Sequence, residues 1–219
     1  GIGLIIGAMS ITGVANSLSR ELVQYAQGNL YLLLAAGAAT SFVLGMGMTA
    51  SAVYIFLAIT IAPALIAVGV EPMAAHLYIF YWGMVSFITP PVALAAIVAA
   101  TIANTKAMAV GFRSLRIGCL LLLLPVMFVL QPALIMQGDL STILQASLTA
   151  VVAVALLSAG FEGYLWWVGQ LAAWARIGIG LAGLLLFIPE GYTDMAGIGL
   201  AAVCIALSIM GGSRASLAT

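Results

Sequence analysis

Charge is what this sequence has least of. Six Lys and Arg stand against six Asp and Glu in 219 residues, 5% in all, while 65% of the chain is hydrophobic and the mean hydropathy is +1.27. An ordinary soluble chain carries about 25% charged residues, so a soluble globule of this size could not cover itself. The formal net charge is zero and no basic run occurs, which excludes the usual electrostatic footprint of a nucleic-acid partner. Cysteine is nearly absent too. Cys119 and Cys204 sit in separate apolar runs and read as small hydrophobes, not as a disulfide or a metal pair. No paired carboxylates, Ser/His/Asp set or Cys/His cluster is placed for chemistry, and no GxxxxGK[ST] loop occurs. Neither an enzyme nor an ATPase is expected, and no cofactor. The first residue is glycine, with no methionine and no charged leader region, so the chain reads as the C-terminal part of a longer membrane protein.

What is there is a polytopic membrane protein interrupted by two helix-breaking islands: Gly45-Met46-Gly47-Met48-Thr49-Ala50-Ser51 and Ser86-Phe87-Ile88-Thr89-Pro90-Pro91. In lipid every backbone N–H and C=O needs a partner, so breaks of this kind survive only where they are buried in protein or line a cavity. Two of them with hydroxyls alongside are what a transporter uses to hold a dehydrated cation and a substrate near the bilayer midplane.

In chain order, Ile2 to Leu18 is an apolar run of about 17 residues, at the short end for a crossing. Ser19 to Asn29 places Leu22, Val23 and Ala26 on one face and Arg20, Glu21, Gln24 and Gln27 on the other, as in an interfacial helix; a polar loop is the alternative. Leu30 to Leu44 spans only ~22 Å as a helix before Gly45, and Ala50 to Val68 another ~28 Å. A re-entrant hairpin with its tip at Gly45–Ser51 fits those lengths, with Pro63 kinking the second arm. Pro72 suits a first helical position, and Met73 to Ala103 reads as one span in two halves around Thr89-Pro90-Pro91.

Asn104 to Arg116 carries Lys106, Arg113 and Arg116 without an acid, which marks a cytoplasmic loop. Ile117 to Met136 then crosses outward and Leu140 to Gly160 returns. An aromatic belt of Tyr164, Trp166, Trp167 and Trp174 with Arg176 lies at the inner interface. Ile177 to Ile188 crosses outward to the acidic turn Pro189–Asp194, and Met195 to Met210 returns. The resulting segments are a transmembrane helix plus arm helix (1–29), a re-entrant hairpin (30–69), a discontinuous transmembrane helix (70–104), a basic loop and transmembrane helix (105–138) and a C-terminal extension of about three helices (139–219).

At the islands the sequence resembles the large, DctM-like membrane subunit of tripartite ATP-independent periplasmic (TRAP) transporters. The matching words are Gly45-Met46-Gly47-Met48, Ala62-Pro63-Ala64-Leu65, Ala74-Ala75-His76-Leu77 and Ile88-Thr89-Pro90-Pro91-Val92-Ala93-Leu94. They cover about Ile2 to Leu134. The tail from Asp139 resembles the C-terminal helices of the form in which small and large subunits are fused. Many relatives carry proline and paired threonines after the second methionine, where this chain has Thr49-Ala50-Ser51. The resemblance implies half of an elevator-type secondary transporter in a bacterial inner membrane, performing sodium-coupled symport of an organic acid. It also implies a soluble periplasmic receptor that delivers the carboxylate substrate, and an N-terminal remainder of the same permease carrying the other repeat.

The candidate sodium and substrate residues are Gly45, Met46, Gly47, Met48, Thr49, Ser51, Ser86, Thr89, Pro90 and Pro91. Gly45 and Gly47 expose carbonyls or simply allow close helix packing. Ser86 and Thr89 offer hard oxygen ligands or back-bond to carbonyls one turn earlier. Met46 and Met48 gate the tip or fill space. His76, the sole histidine, reads as an interfacial or packing residue in preference to a proton relay, since no acid accompanies it. The competing function is a non-transporting scaffold or channel-like subunit in which both breaks are packing kinks; a channel would want a repeated polar lining, which this chain lacks.

Overall fold

A computed structural model describes residues 2–46, 48–90, 92–166, 168–187 and 191–215. The protein is an all-α polytopic membrane protein. Among the described residues, Ala50–Ala67, Ala107–Leu130, Leu140–Glu162 and Tyr192–Ile209 are long and apolar enough to cross a membrane. The chain forms two compact units, Gly1–Val129 and Leu130–Thr219.

The first unit begins with α1 (Ile2–Thr12) and α2 (Val14–Tyr25). The apolar run expected to cross as one piece is divided at Gly13, which takes φ 70°. This left-handed backbone is nearly free for glycine and ends the ladder at 11 residues, so Val14 and Leu18 join the amphipathic arm helix. Its buried Ser19 donates to the carbonyl of Thr60, which pins the arm to the hairpin's second limb at its break. That limb is α4 (Ala50–Thr60) followed by α5 (Ala62–Ala67), with Pro63 in the first turn of α5.

The first limb is α3 (Leu30–Gly45), whose Asn29 side chain accepts from the amides of Tyr31 and Leu32 at 3.0 and 3.3 Å. Its 16 residues give ~24 Å, short of a ~30 Å hydrocarbon core. Next, α6 (Pro72–Val85) starts on Pro72 with the Glu71 carboxylate capping the Ala74 amide at 2.8 Å. It lies against α3, where the hydroxyl of buried Tyr78 donates to the Leu34 carbonyl.

After the break come α7 (Leu94–Ile102), α8 (Ala107–Ile117) and α9 (Leu120–Leu130). The expected basic loop is therefore mostly helix. Only Ala103 to Lys106 turns the chain, with Asn104 at φ 48°, and α8 folds back along α7. The run Ala107 to Leu115 is made largely of tolerable helix formers, and Gly111 lets α8 approach Pro90 and Ala93 of the break closely. The helical stretch long and apolar enough to cross is accordingly Ala107–Leu130, which starts ten residues before the expected Ile117 and ends six before Met136. Pro132, Met136 at φ 64° and Gly138 at φ 121° hold residues 132–138 in a 3-10 turn and loop.

The second unit contains α10 (Leu140–Glu162), α11 (Ala173–Leu185) and α12 (Gly191–Ala215). Glycines set its spacing: a Cβ on Gly160 would lie 3.0 Å from backbone atoms of Arg176 and Gly180, and one on Gly183 3.0 Å from the Ala153 carbonyl. Gly163 ends α10 at φ 73°, and Arg176 reaches back to the Gly160 and Phe161 carbonyls at 3.2 and 2.8 Å. The belt segment forms a small antiparallel pair that the sequence reading did not anticipate, β1 (Tyr164–Leu165) with β2 (Gly169–Gln170), and β2 opens on Gly169 at φ 84°, a backbone that favours glycine. Trp166 is 85% exposed there; Trp167 lies outside the described residues.

Candidate functional site

The two islands meet. A Cβ on Gly45, at the end of α3, would collide with the Gly83 carbonyl of α6 and lie 2.7 Å from Ser86 Oγ. Gly83 in turn packs on α4, where its own Cβ would come 3.2 Å from Val53. Farther back, Gly37 faces Tyr78 at 3.6 Å, so α3 and α6 run side by side in the same direction. Three helices thus converge here, and at Gly45 the contact is backbone to backbone, with no room for a Cβ.

The second island supplies polar atoms to that contact. Pro90 has no amide to serve the Ser86 carbonyl, and Pro91 none for Phe87. The Phe87 carbonyl accepts instead from the Ala95 amide at 3.0 Å, across the break. Ala93 sits between at φ 39°, a left-handed backbone costing about 1–2 kcal/mol for a residue with a Cβ. Ser86 and Thr89 are both buried. Their hydroxyls donate to the carbonyls of Gly83 at 2.8 Å and Val85 at 2.9 Å, the local back-bonding pattern. With the protons committed, each oxygen still carries lone pairs for a cation.

The remaining candidates fall in different surroundings. Thr49 and Ser51 are exposed, and the Thr49 hydroxyl caps α4 by accepting from the Ala52 amide at 3.4 Å. Met46 and Met48 are half-buried at the hairpin turn. Pro90 packs on α8, where a Cβ on Gly111 would lie 3.0 Å from its Cγ. Gly47 and Pro91 lie outside the described residues. His76 joins α6 to α4: its Nδ1 is 3.1 Å from Tyr54 Oη, and Phe80 stands edge-on to Tyr54 at 5.8 Å.

Gly83 and Ser41 escaped the sequence reading. Both were marked by spacing to a residue already singled out, Gly83 three before Ser86 and Ser41 four before Gly45, which is helical same-face spacing.

The family model of the tripartite ATP-independent periplasmic transporter DctM component matches residues 1–143, well over half of the chain. The chain belongs to the DctM family. It is therefore a membrane component of a TRAP transporter, and its family is one of transporters, not of enzymes. The match takes in α1 to α9, both breaks and the start of α10, so the whole Gly45–Ser86 contact lies within DctM sequence. No curated protein and no solved structure matches the chain.

Proposed function

We propose that this DctM chain is the hairpin-and-break half of a sodium-coupled secondary transporter. It works in a bacterial inner membrane and imports an organic acid handed over by a periplasmic receptor. The rest of the permease supplies the opposite repeat, and residues 139–219 form the extension of the fused subunit type. The coupling ion binds where the hairpin end meets the interrupted helix, and the half moves as the mobile body of an elevator.

The observation that carries the reading is the contact of Gly45 with the Gly83 carbonyl and the Ser86 hydroxyl, which joins both breaks at one place. Its chemistry favours a monovalent cation. Glu71 is the only acid between Leu30 and Gly138, so the contact is built from neutral carbonyl and hydroxyl oxygens. Divalent ions normally demand carboxylates, whereas neutral oxygens suffice to replace the hydration of sodium.

The test is uptake of labelled carboxylates, presented on the soluble receptor, by the full-length permease in proteoliposomes. An inward sodium gradient should drive accumulation, and replacing sodium by choline or omitting the receptor should abolish it. Equal accumulation without sodium, or without receptor, would contradict the reading.

A further inference from the structure

A cavity of about 460 Å³ opens in the second unit between the starts of α10 and α12, and the transport reading makes no use of it. Its polar lining is Gln131 and Gln137 from the turn before α10, Thr142, Gln145 and Thr149 from α10, and Asp194 from the first turn of α12. Thr142, Gln145 and Thr149 follow one another at i, i+3 and i+7, which is one face of a helix. The 3-10 turn Pro132–Ile135 lies against α10, flanked by Gln131 and Gln137. Backbone bonds from the Leu134 amide to the Gln131 carbonyl at 3.0 Å and from the Gln137 amide to the Pro132 carbonyl at 3.2 Å hold both glutamines in place. Helix α11 packs on both α10 and α12, which brings Asp194 to the remaining side.

The lining holds one carboxylate and no Lys, Arg or His, so it favours a cationic group and disfavours the organic acid of the transport reading. A bare divalent ion is a poor match, because among the described residues no group of three His, Cys, Asp or Glu could hold a metal. The volume is that of a small-molecule site. Each glutamine amide offers two donors and an acceptor, and the Thr149 hydroxyl, which donates to the Gln145 and Ala146 carbonyls at 3.1 Å, keeps its oxygen as an acceptor. Such a set satisfies an ammonium and a phosphate together.

The level of the cavity narrows the choice further. Helix α10 is long and apolar enough to cross a membrane, and Thr142 to Thr149 covers ~10 Å from near its start, which spans the interfacial layer of about 5–8 Å on each side of a bilayer. Deeper along the same faces the surface turns apolar. Ile198, four residues after Asp194, and Val152, three after Thr149, are both exposed. A soluble amine has no use for those side chains, whereas acyl chains would cover them.

We propose that this cavity binds the zwitterionic headgroup of a phosphatidylethanolamine-type phospholipid, a site that needs only the membrane placement of α10 and α12 and not the sodium reading. The primary ammonium donates to Asp194, the phosphate accepts from the glutamine amides, and the acyl chains run along Val152 and Ile198. A quaternary choline headgroup carries the same charge but no N–H, so it leaves these acceptors unpaired, and an anionic headgroup meets Asp194 with no cation to offset it.

The test is the melting temperature of the purified, delipidated full-length permease in detergent, titrated with dioleoyl phosphatidylethanolamine, phosphatidylcholine or phosphatidylglycerol. A ligand of the folded state raises that temperature, and the ethanolamine lipid should do so at the lowest concentration. In Asp194→Asn its half-saturating concentration should rise about tenfold, the loss of one charge-assisted contact, and the preference among the three lipids should vanish. Asp139→Asn, which removes an exposed acid outside the lining, should titrate like wild type. Where Asp194→Asn yields no folded protein, Gln145→Leu carries the same test without a change of charge. Equal titrations of wild type by the three lipids, or an unchanged ethanolamine titration in the variant, overturn the proposal. Glycerophosphoethanolamine, the headgroup without its chains, should need roughly a hundredfold more to stabilise. Saturation by it at the lipid's own concentration would give the cavity to a soluble amine and overturn the lipid assignment.

Discussion

Replacing Gly45 by alanine should lower the melting temperature of the permease by several degrees and reduce uptake at least tenfold. By helix propensity alone the change would stabilise by up to about 1 kcal/mol. The sign reverses because the new methyl would meet the Gly83 carbonyl and Ser86 Oγ, and a backbone carbonyl cannot swing aside as a side-chain tip can. Overpacking of this kind costs about 1–3 kcal/mol, and separating α3 from α6 also parts the two islands. Gly199 on α12 provides the control, since nothing lies within 4 Å of a Cβ there. Gly199→Ala should be neutral or stabilising, with uptake within twofold of wild type. A Gly45→Ala protein that melts and transports like wild type would mean that the contact does not exist in the working protein.

Topology should give an all-or-none result. With Cys119 and Cys204 replaced, single cysteines at Met73 and Tyr192 should react with an impermeant maleimide from outside. One at Thr105 should react only after permeabilisation. Met73 and Tyr192 are 57% and 88% exposed, and Thr105 is exposed in the turn between α7 and α8 beside Lys106. The assignment follows from the cations Lys106, Arg113 and Arg116, which the positive-inside rule places in the cytoplasm. Within the second unit the geometry is consistent with it. Asp194, Gln131, Gln137 and Gln145 line one cavity of about 460 Å³, so the loop before α10 and the start of α12 share an end. Arg176 and the β1–β2 turn occupy the end where α10 finishes. Labelling of Thr105 from outside would invert the whole threading.

The features legible in the sequence were those where covalent chemistry forbids a regular helix. Pro72 with Glu71 announced the start of α6, and Pro90-Pro91 announced its interruption, because a missing amide acts whatever surrounds it. Gly13 was not legible. It sits in an apolar run beside Gly3 and Gly7, and only its backbone angle distinguishes it. The basic stretch was misread as loop because charge in a membrane protein suggests water, yet Lys106, Arg113 and Arg116 are compatible with a helix that uses Gly111 to pack on Pro90 and Ala93. Gly83 and Ser41 were obscured for a different reason. In helices apolar on every side no periodicity marks the buried face, so the spacing of Gly83 to Ser86 and of Ser41 to Gly45 gains meaning only once α3 and α6 are placed together.

The proposed coupling of sodium to transport through oxygens at the meeting point of the two islands is tested most directly at Thr89. Thr89→Val keeps shape and burial, removes one oxygen and leaves the Val85 carbonyl without that donor. Uptake by the full-length permease, with its receptor, should be measured against external sodium for wild type and Thr89→Val side by side. The half-saturating concentration should rise about tenfold in the variant, equivalent to about 1.4 kcal/mol, with folded protein recovered in similar yield. Superimposable sodium curves for the two proteins would contradict the account.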